Sequence, residues 1–123
     1  MNEFAKDSLI WSDRLKFMLF DAKGLQIIQK AIVWYGTKHQ LNKCKEECLE
    51  LVTAIHNYNQ QAPEYVQKEN TKVVVDEVAD VLITAIQAAK IIGVDEVIER
   101  IKYKLTRLDD RIENQMIKQQ KGN

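Results

Sequence analysis

Apolar residues recur at helical spacing in several runs along the chain, and the polar residues between them are not scattered at random. A first helix is predicted from about residue 25 to 35, with Ile28, Ala31, Ile32 and Tyr35 on its inner face. Gly36 interrupts it, and Thr37 is placed to cap a second helix over about 38–58. The apolar arc of that helix is Leu41, Cys44, Cys48, Leu51, Val52 and Ile55. Residues 59–71 are polar, hold the only proline, and read as a loop, with Asn70 or Thr71 capping the next helix. That third helix, over about 72–92, is apolar nearly all round, which predicts a central position. Gly93 ends it, Asp95 caps a fourth helix over about 96–115, and Val97, Ile101, Leu105, Leu108 and Ile112 form the inner stripe there. With one proline and four glycines in 123 residues there is little to break helices, so the fold class is all-α.

The ends are less regular. Residues 1–23 form an N-terminal arm that Gly24 closes, and Phe4, Leu9, Ile10, Trp11, Phe17 and Phe20 make it too apolar for a floppy tail. It is expected to hold a short helix that packs on the bundle or on a neighbouring subunit. The helical domain then spans 24–117, and 118–123 should fray. Helix three is apolar on more sides than one subunit of this size can cover, so a homo-oligomer is expected.

Two acidic clusters interrupt this greasy pattern: Glu46-Glu47-Cys48-Leu49-Glu50 and Glu77-Val78-Ala79-Asp80. Glu47 and Glu50, like Glu77 and Asp80, are three residues apart, which puts each pair on one helix face about a turn apart. On helix three the seam continues as Glu77, Asp80, Thr84 and Gln87, a narrow polar line between apolar flanks. On helix two, Lys43, Glu47, Glu50 and Asn57 border the apolar arc, and a solvated face would account for that helix taken alone. Helix three is harder to dismiss, because burying a carboxylate among apolar groups is costly unless a cation pairs with it. Two such pairs face to face make a four-oxygen cage suited to a hard divalent cation, Mg²⁺ or Mn²⁺.

Composition narrows the classes. Lys+Arg and Asp+Glu each number 18, so the net charge is zero and the basic excess of a nucleic-acid binder is lacking. No apolar run approaches the length of a membrane span, and the Met1-Asn2-Glu3-Phe4 start is unlike a signal peptide, so a cytoplasmic location is the default expectation. Cys44 and Cys48 sit on the apolar arc of helix two and read as buried core thiols rather than zinc ligands, since one straight helix cannot close a tetrahedron. His39 and His56 read as surface residues, and neither follows a glutamate by three, which counts against a di-iron bundle. Lys104, Arg107 and Arg111 line one flank of helix four, either as partners of Glu99 or Asp110 or as phosphate ligands.

Gln40-Leu41, Glu46-Glu47-x-x-Glu50, a loop, Glu77-x-x-Asp80 and a basic fourth helix together resemble the MazG-like all-α nucleotide pyrophosphohydrolases over about residues 25–112. The resemblance implies a bundle of about four main helices completed by dimerisation, often to a tetramer. It also implies Mg²⁺-dependent hydrolysis of nucleoside triphosphates to monophosphate and pyrophosphate, in nucleotide-pool control or house-cleaning. On that pattern Glu47, Glu50, Glu77 and Asp80 are the metal ligands, with Glu46 beside Glu47 helping to position the attacking water. Lys104 and Arg107 match the basic helix loosely, and Trp34, Tyr35 and Gln40 are candidates for the base end of the substrate. The alternative is a non-catalytic bundle of the same kind that binds a nucleotide or a protein.

Overall fold

A computed structural model describes residues 21–122, and within them every regular element is a helix: α1 (Ala22–Tyr35), α2 (Thr37–Asn59), α3 (Glu64–Ile92) and α4 (Val94–Lys121). Most of the expected N-terminal arm lies outside the described residues. Its last part belongs to α1, which begins earlier than predicted because Asp21 caps it, accepting the Gly24 N–H at 2.6 Å. Gly24 is therefore in the first helical turn and closes nothing.

The largest departure from the predicted elements is in α3. It starts at Glu64, directly after Pro63, and the loop shrinks to the few residues after Asn59. Proline costs nothing there, since its missing N–H would have no partner in a first turn, and its carbonyl accepts the Gln67 N–H at 3.0 Å. Asn70 and Thr71 are not caps but lie inside the helix. Thr71 Oγ1 donates back to the Gln67 carbonyl at 2.8 Å, and Asn70 Nδ2 donates across to the Asn57 carbonyl on α2 at 3.2 Å.

Glycines make the two sharpest junctions. Gly36 and Gly93 have φ of 93° and 149°, values that side-chain-bearing residues rarely adopt. Each closes one helix and opens the next: Gly36 donates to the Ile32 carbonyl and accepts from Gln40, and Gly93 does the same with Ala89 and Val97. Thr37 and Asp95, expected as caps, are thus already inside their helices.

The chain divides after Ala88 into two compact units. In the first, the buried apolar residues are Ile28, Ile32 and Ala54, joined by the buried polar residues Gln40, Glu47, Thr84 and Gln87. These four are the inward-facing members of the polar seams of α2 and α3, whereas Lys43, Glu50, Asn57 and Asp80 on the same seams are exposed. The predicted apolar arc of α2 does not point inward: Leu41, Cys44 and Leu51 are half-buried, Cys48 and Ile55 are exposed, and Val52 is 66% exposed. Cys44 and Cys48 are therefore not core thiols within one chain. On α1, Ile28 and Ile32 are buried as predicted, whereas Ala31 is half-buried and Tyr35 exposed. The second unit is the last turn of α3 and α4. α4 continues to Lys121, beyond the expected fraying point, and none of its residues is buried.

Candidate metal and phosphate site

α2 and α3 meet along their polar seams in an antiparallel register that can be followed residue by residue. Asn57 meets Asn70, Glu50 meets Glu77, Glu47 meets Asp80, and Gln40 meets Gln87. In every pair the two residue numbers add to the same total, as antiparallel helices in fixed register require. Lys43 falls opposite Thr84 in the same series. The spacing of three and four along both helices averages near three and a half, which keeps a seam facing its partner as in a coiled coil. Here the seam is polar, so the groups that face each other include ionisable ones.

At its centre, Glu47, Glu77 and Asp80 each offer a carboxylate oxygen, and these oxygens lie within 4.8 Å of one another. Glu47 is the most enclosed, its side chain only 6% exposed. One of its oxygens is 3.1 Å from Lys43 Nζ; the other, Oε2, is buried without a hydrogen-bond partner, as is Glu77 Oε2. Buried polar atoms left unpaired are rare in folded proteins, and a cation between the two carboxylates would satisfy both. All the donors are hard carboxylate oxygens from two facing helices, which fits Mg²⁺ or Mn²⁺ and not a thiophilic metal.

Electrostatics set the three carboxyls apart. Burial alone would push Glu47 up, but the hydrogen bond and charge of Lys43, with lesser help from Glu50 and Glu77, hold the group below its ordinary value. Glu77 has no cation beside it among the described residues, and at Asp80 the charge of Lys43 offsets only a small part of the rise. Burial raises both, then the neighbouring carboxylates add to it: Glu50 chiefly for Glu77, Glu47 and Asp76 for Asp80. The cluster is starved of positive charge. Lys43 in turn is raised by its hydrogen bond to Glu47 and then by that carboxylate's charge.

The other candidate residues lie at the rim of the cluster or away from it. Glu50 is exposed and stands beside Glu77 at the edge of the cluster. Glu46 is on the outer side of α2, 60% exposed and 4.0 Å from Lys43 Nζ; it is not among the three clustered carboxylates. Gln40 is buried one end of the seam away: Nε2 donates to Gln87 Oε1 at 2.8 Å, and Oε1 accepts from His39 Nδ1 at 2.7 Å. His39 stacks on Tyr35, ring centroids 5.1 Å apart. Trp34 is 81% exposed and lines an apolar groove on α1 with Ile27, Lys30, Ala31 and Tyr35. Lys104 and Arg107 are exposed on α4 in the second unit, and none of the ion pairs among the described residues involves either. Glu99 pairs instead with Lys102, at 3.4 Å.

Two features were not legible from spacing alone. Lys43 stands out in the sequence as part of a polar stripe but not as the partner of Glu47. The Gln40–Gln87 contact needed the register, although a signal was present: the order of spacings along 40, 43, 47 and 50 mirrors that along 77, 80, 84 and 87.

Among the described residues no helix is long and apolar enough to cross a membrane. No curated protein and no solved structure is significantly similar to the chain. The family model of the MazG nucleotide pyrophosphohydrolase domain, however, matches residues 36–112, which takes in α2, α3 and the greater part of α4.

Proposed function

Because the chain belongs to the MazG nucleotide pyrophosphohydrolase family, we propose that it hydrolyses nucleoside or deoxynucleoside triphosphates to the monophosphate and pyrophosphate in a divalent-cation-dependent reaction. The observation that carries this reading is the pair of buried, unpartnered oxygens, Glu47 Oε2 and Glu77 Oε2, in a cluster completed by Asp80. Glu47, Glu77 and Asp80 would hold Mg²⁺, with Glu50 joining from the edge. The bound cation supplies positive charge against the triphosphate and acidifies nearby water, which four bare carboxylates cannot do.

The chain's own residues supply the rest. Glu46, beside Glu47 on the open side of α2, orients the attacking water and takes up its proton. Lys104 and Arg107 on α4, which are in none of the ion pairs among the described residues, would serve as phosphate-binding cations through charge-assisted hydrogen bonds. Gln40 lies two helical turns from Glu47, about 10.5 Å along the axis, a span that suits the distance from the reacting phosphate to a base. With Trp34 it marks the base end of the site. Positioning and electrostatics, not covalent chemistry, carry most of the rate.

Assembly belongs to the same proposal. With Gln40, Glu47, Thr84 and Gln87 turned inward, Leu49, Val52, Val75, Leu82 and Ile83 are left exposed, a large apolar area for an isolated subunit. A homo-dimer or homo-tetramer buries it, and sedimentation at micromolar concentration should show no monomer. The function is tested by release of pyrophosphate from a panel of triphosphates with and without Mg²⁺. Release that requires the cation supports it. Nucleotide binding without release from any member would instead make the protein a non-catalytic binder.

A further inference from the structure

The cation nearest the carboxylate cluster is part of the protein. Lys43 Nζ is 3.1 Å from Glu47 Oε1 and 4.0 Å from Glu46 Oε2. The two partners of this pair live in different surroundings, for the Lys43 side chain is 47% exposed and that of Glu47 only 6%. The carboxylate is fixed by its enclosure, while the ammonium sits at the open rim on a flexible four-carbon stem. Glu47 must face both Lys43 and the cluster, and its second oxygen, Oε2, is buried and without a partner. A divalent cation among Glu47, Glu77 and Asp80 therefore places a second, stronger positive charge on the carboxylate that Lys43 already holds.

Both charges cannot keep Glu47 at full strength. An ion in the cluster would be held by several carboxylates, whereas Lys43 has one close partner and is 47% exposed, so Lys43 is the one to yield. The negative charge that then arrives at the open rim is the triphosphate. Resting on the reading of this site as a metal-dependent nucleotide hydrolase, we propose that Lys43 is a built-in counter-ion for Glu47 in the metal-free protein and passes to a phosphate oxygen of the substrate once the metal is bound. Lys43 is then a catalytic residue that touches substrate, and its ion pair with Glu47 is the resting half of an exchange. The exchange balances charge at each stage: lysine on the carboxylate without metal, metal on the carboxylate and lysine on phosphate in the complex.

Two other roles for Lys43 give different signatures. A fixed brace that orients Glu47 for the metal would make metal binding weaker when removed. A solvated i, i+4 surface pair would leave metal binding and turnover alike unchanged. A competing counter-ion makes metal binding tighter when removed, while turnover falls. The experiment is Mn²⁺ titration of the full chain without nucleotide, followed by calorimetry, together with steady-state pyrophosphate release at saturating Mg²⁺, for wild type, Lys43→Met and Lys43→Arg. Lys43→Met should bind Mn²⁺ roughly three- to tenfold more tightly, since a competing charge a few ångströms away is gone. It should lose roughly tenfold to a hundredfold in kcat/KM, the size of one charge-assisted phosphate contact. Lys43→Arg, which keeps the charge, should return Mn²⁺ affinity toward wild type and restore much of the turnover. Unchanged or weaker Mn²⁺ binding in Lys43→Met, or unchanged turnover, overturns the exchange while wild type still binds Mn²⁺ and hydrolyses. Wild-type protein that binds no Mn²⁺ overturns the metal site itself, and the exchange with it.

Discussion

The Gln40–Gln87 contact fixes the register of α2 against α3, and Gln87→Leu is the substitution that measures it. Gln87 is 2% exposed and Gln40 6%, so neither amide can turn to water if its partner is lost. The variant strands Gln40 Nε2, which now donates to Gln87 Oε1 at 2.8 Å. A buried donor left without an acceptor costs about 1–3 kcal/mol. The other bond lost, from Gln87 Nε2 to the Ile28 carbonyl, is long at 3.4 Å, and that carbonyl lies within α1, where the helical ladder also uses it; it adds little. Leucine buries more apolar surface than glutamine and returns something under about 1 kcal/mol. The net loss is then about 1–2 kcal/mol, read from urea unfolding at a fixed protomer concentration, because an oligomer's stability depends on it. The diagnostic is the double variant. In Gln40→Leu/Gln87→Leu no buried donor is stranded, and exposed His39 exchanges Gln40 for water, so it should be more stable than the sum of the two single losses by about 1–2 kcal/mol. A single variant within about 0.5 kcal/mol of wild type, or strictly additive losses, refutes the reasoning.

Asp80→Asn should abolish Mg²⁺-dependent pyrophosphate release while leaving the metal-free protein at least as stable, because one of several crowded like charges is gone; near-wild-type release rules Asp80 out as a ligand. Arg107→Ala should lower kcat/KM roughly tenfold to a hundredfold with the melting midpoint unchanged, and unchanged activity returns Arg107 to the solvated face. The pH response comes from opposite shifts. Glu77 and Asp80 are raised above their ordinary 4.5 and 3.8, so the folded metal-free protein binds their protons more readily than the unfolded chain, and the stability they withhold at neutral pH is regained as the pH falls through the raised values. Glu47 is lowered, so its contribution is present above 4.5 and lost only as the pH falls through the lowered value. In EDTA, wild type should therefore gain stability relative to a Glu77→Gln/Asp80→Asn variant as the pH falls from neutrality through the raised values of the two carboxyls, while Mn²⁺ affinity falls with it; a difference between the two proteins that does not change with pH contradicts the shifts.

The sequence by itself determined the fold class and offered a candidate chemistry. Few helix breakers and helical periodicity made the protein all-α, Gly36 and Gly93 marked two of the junctions, and the i, i+3 carboxylates on two helices singled out the acidic residues of which Glu47, Glu77 and Asp80 come together. These are local properties, set by the backbone and by a few neighbouring residues. Only the tertiary structure decided which face of each helix is buried. On hydrophobicity alone the arc through Cys44, Cys48, Val52 and Ile55 should point inward; instead Gln40, Glu47, Thr84 and Gln87 do, and the apolar flanks stay outside. Periodicity gives a helix two candidate faces but not the partner for either, and a polar face is buried only when a second helix brings matching groups in register. Nor could spacing show that Lys43 holds one oxygen of Glu47 while the other is unpaired, because that depends on what α3 places across the seam. The early start of α3 has the same origin. Residues 64–71 look like a loop in isolation, yet they form helix where Gln67 and Asn70 reach the carbonyls of Tyr58 and Asn57, contacts that exist only once α2 lies alongside.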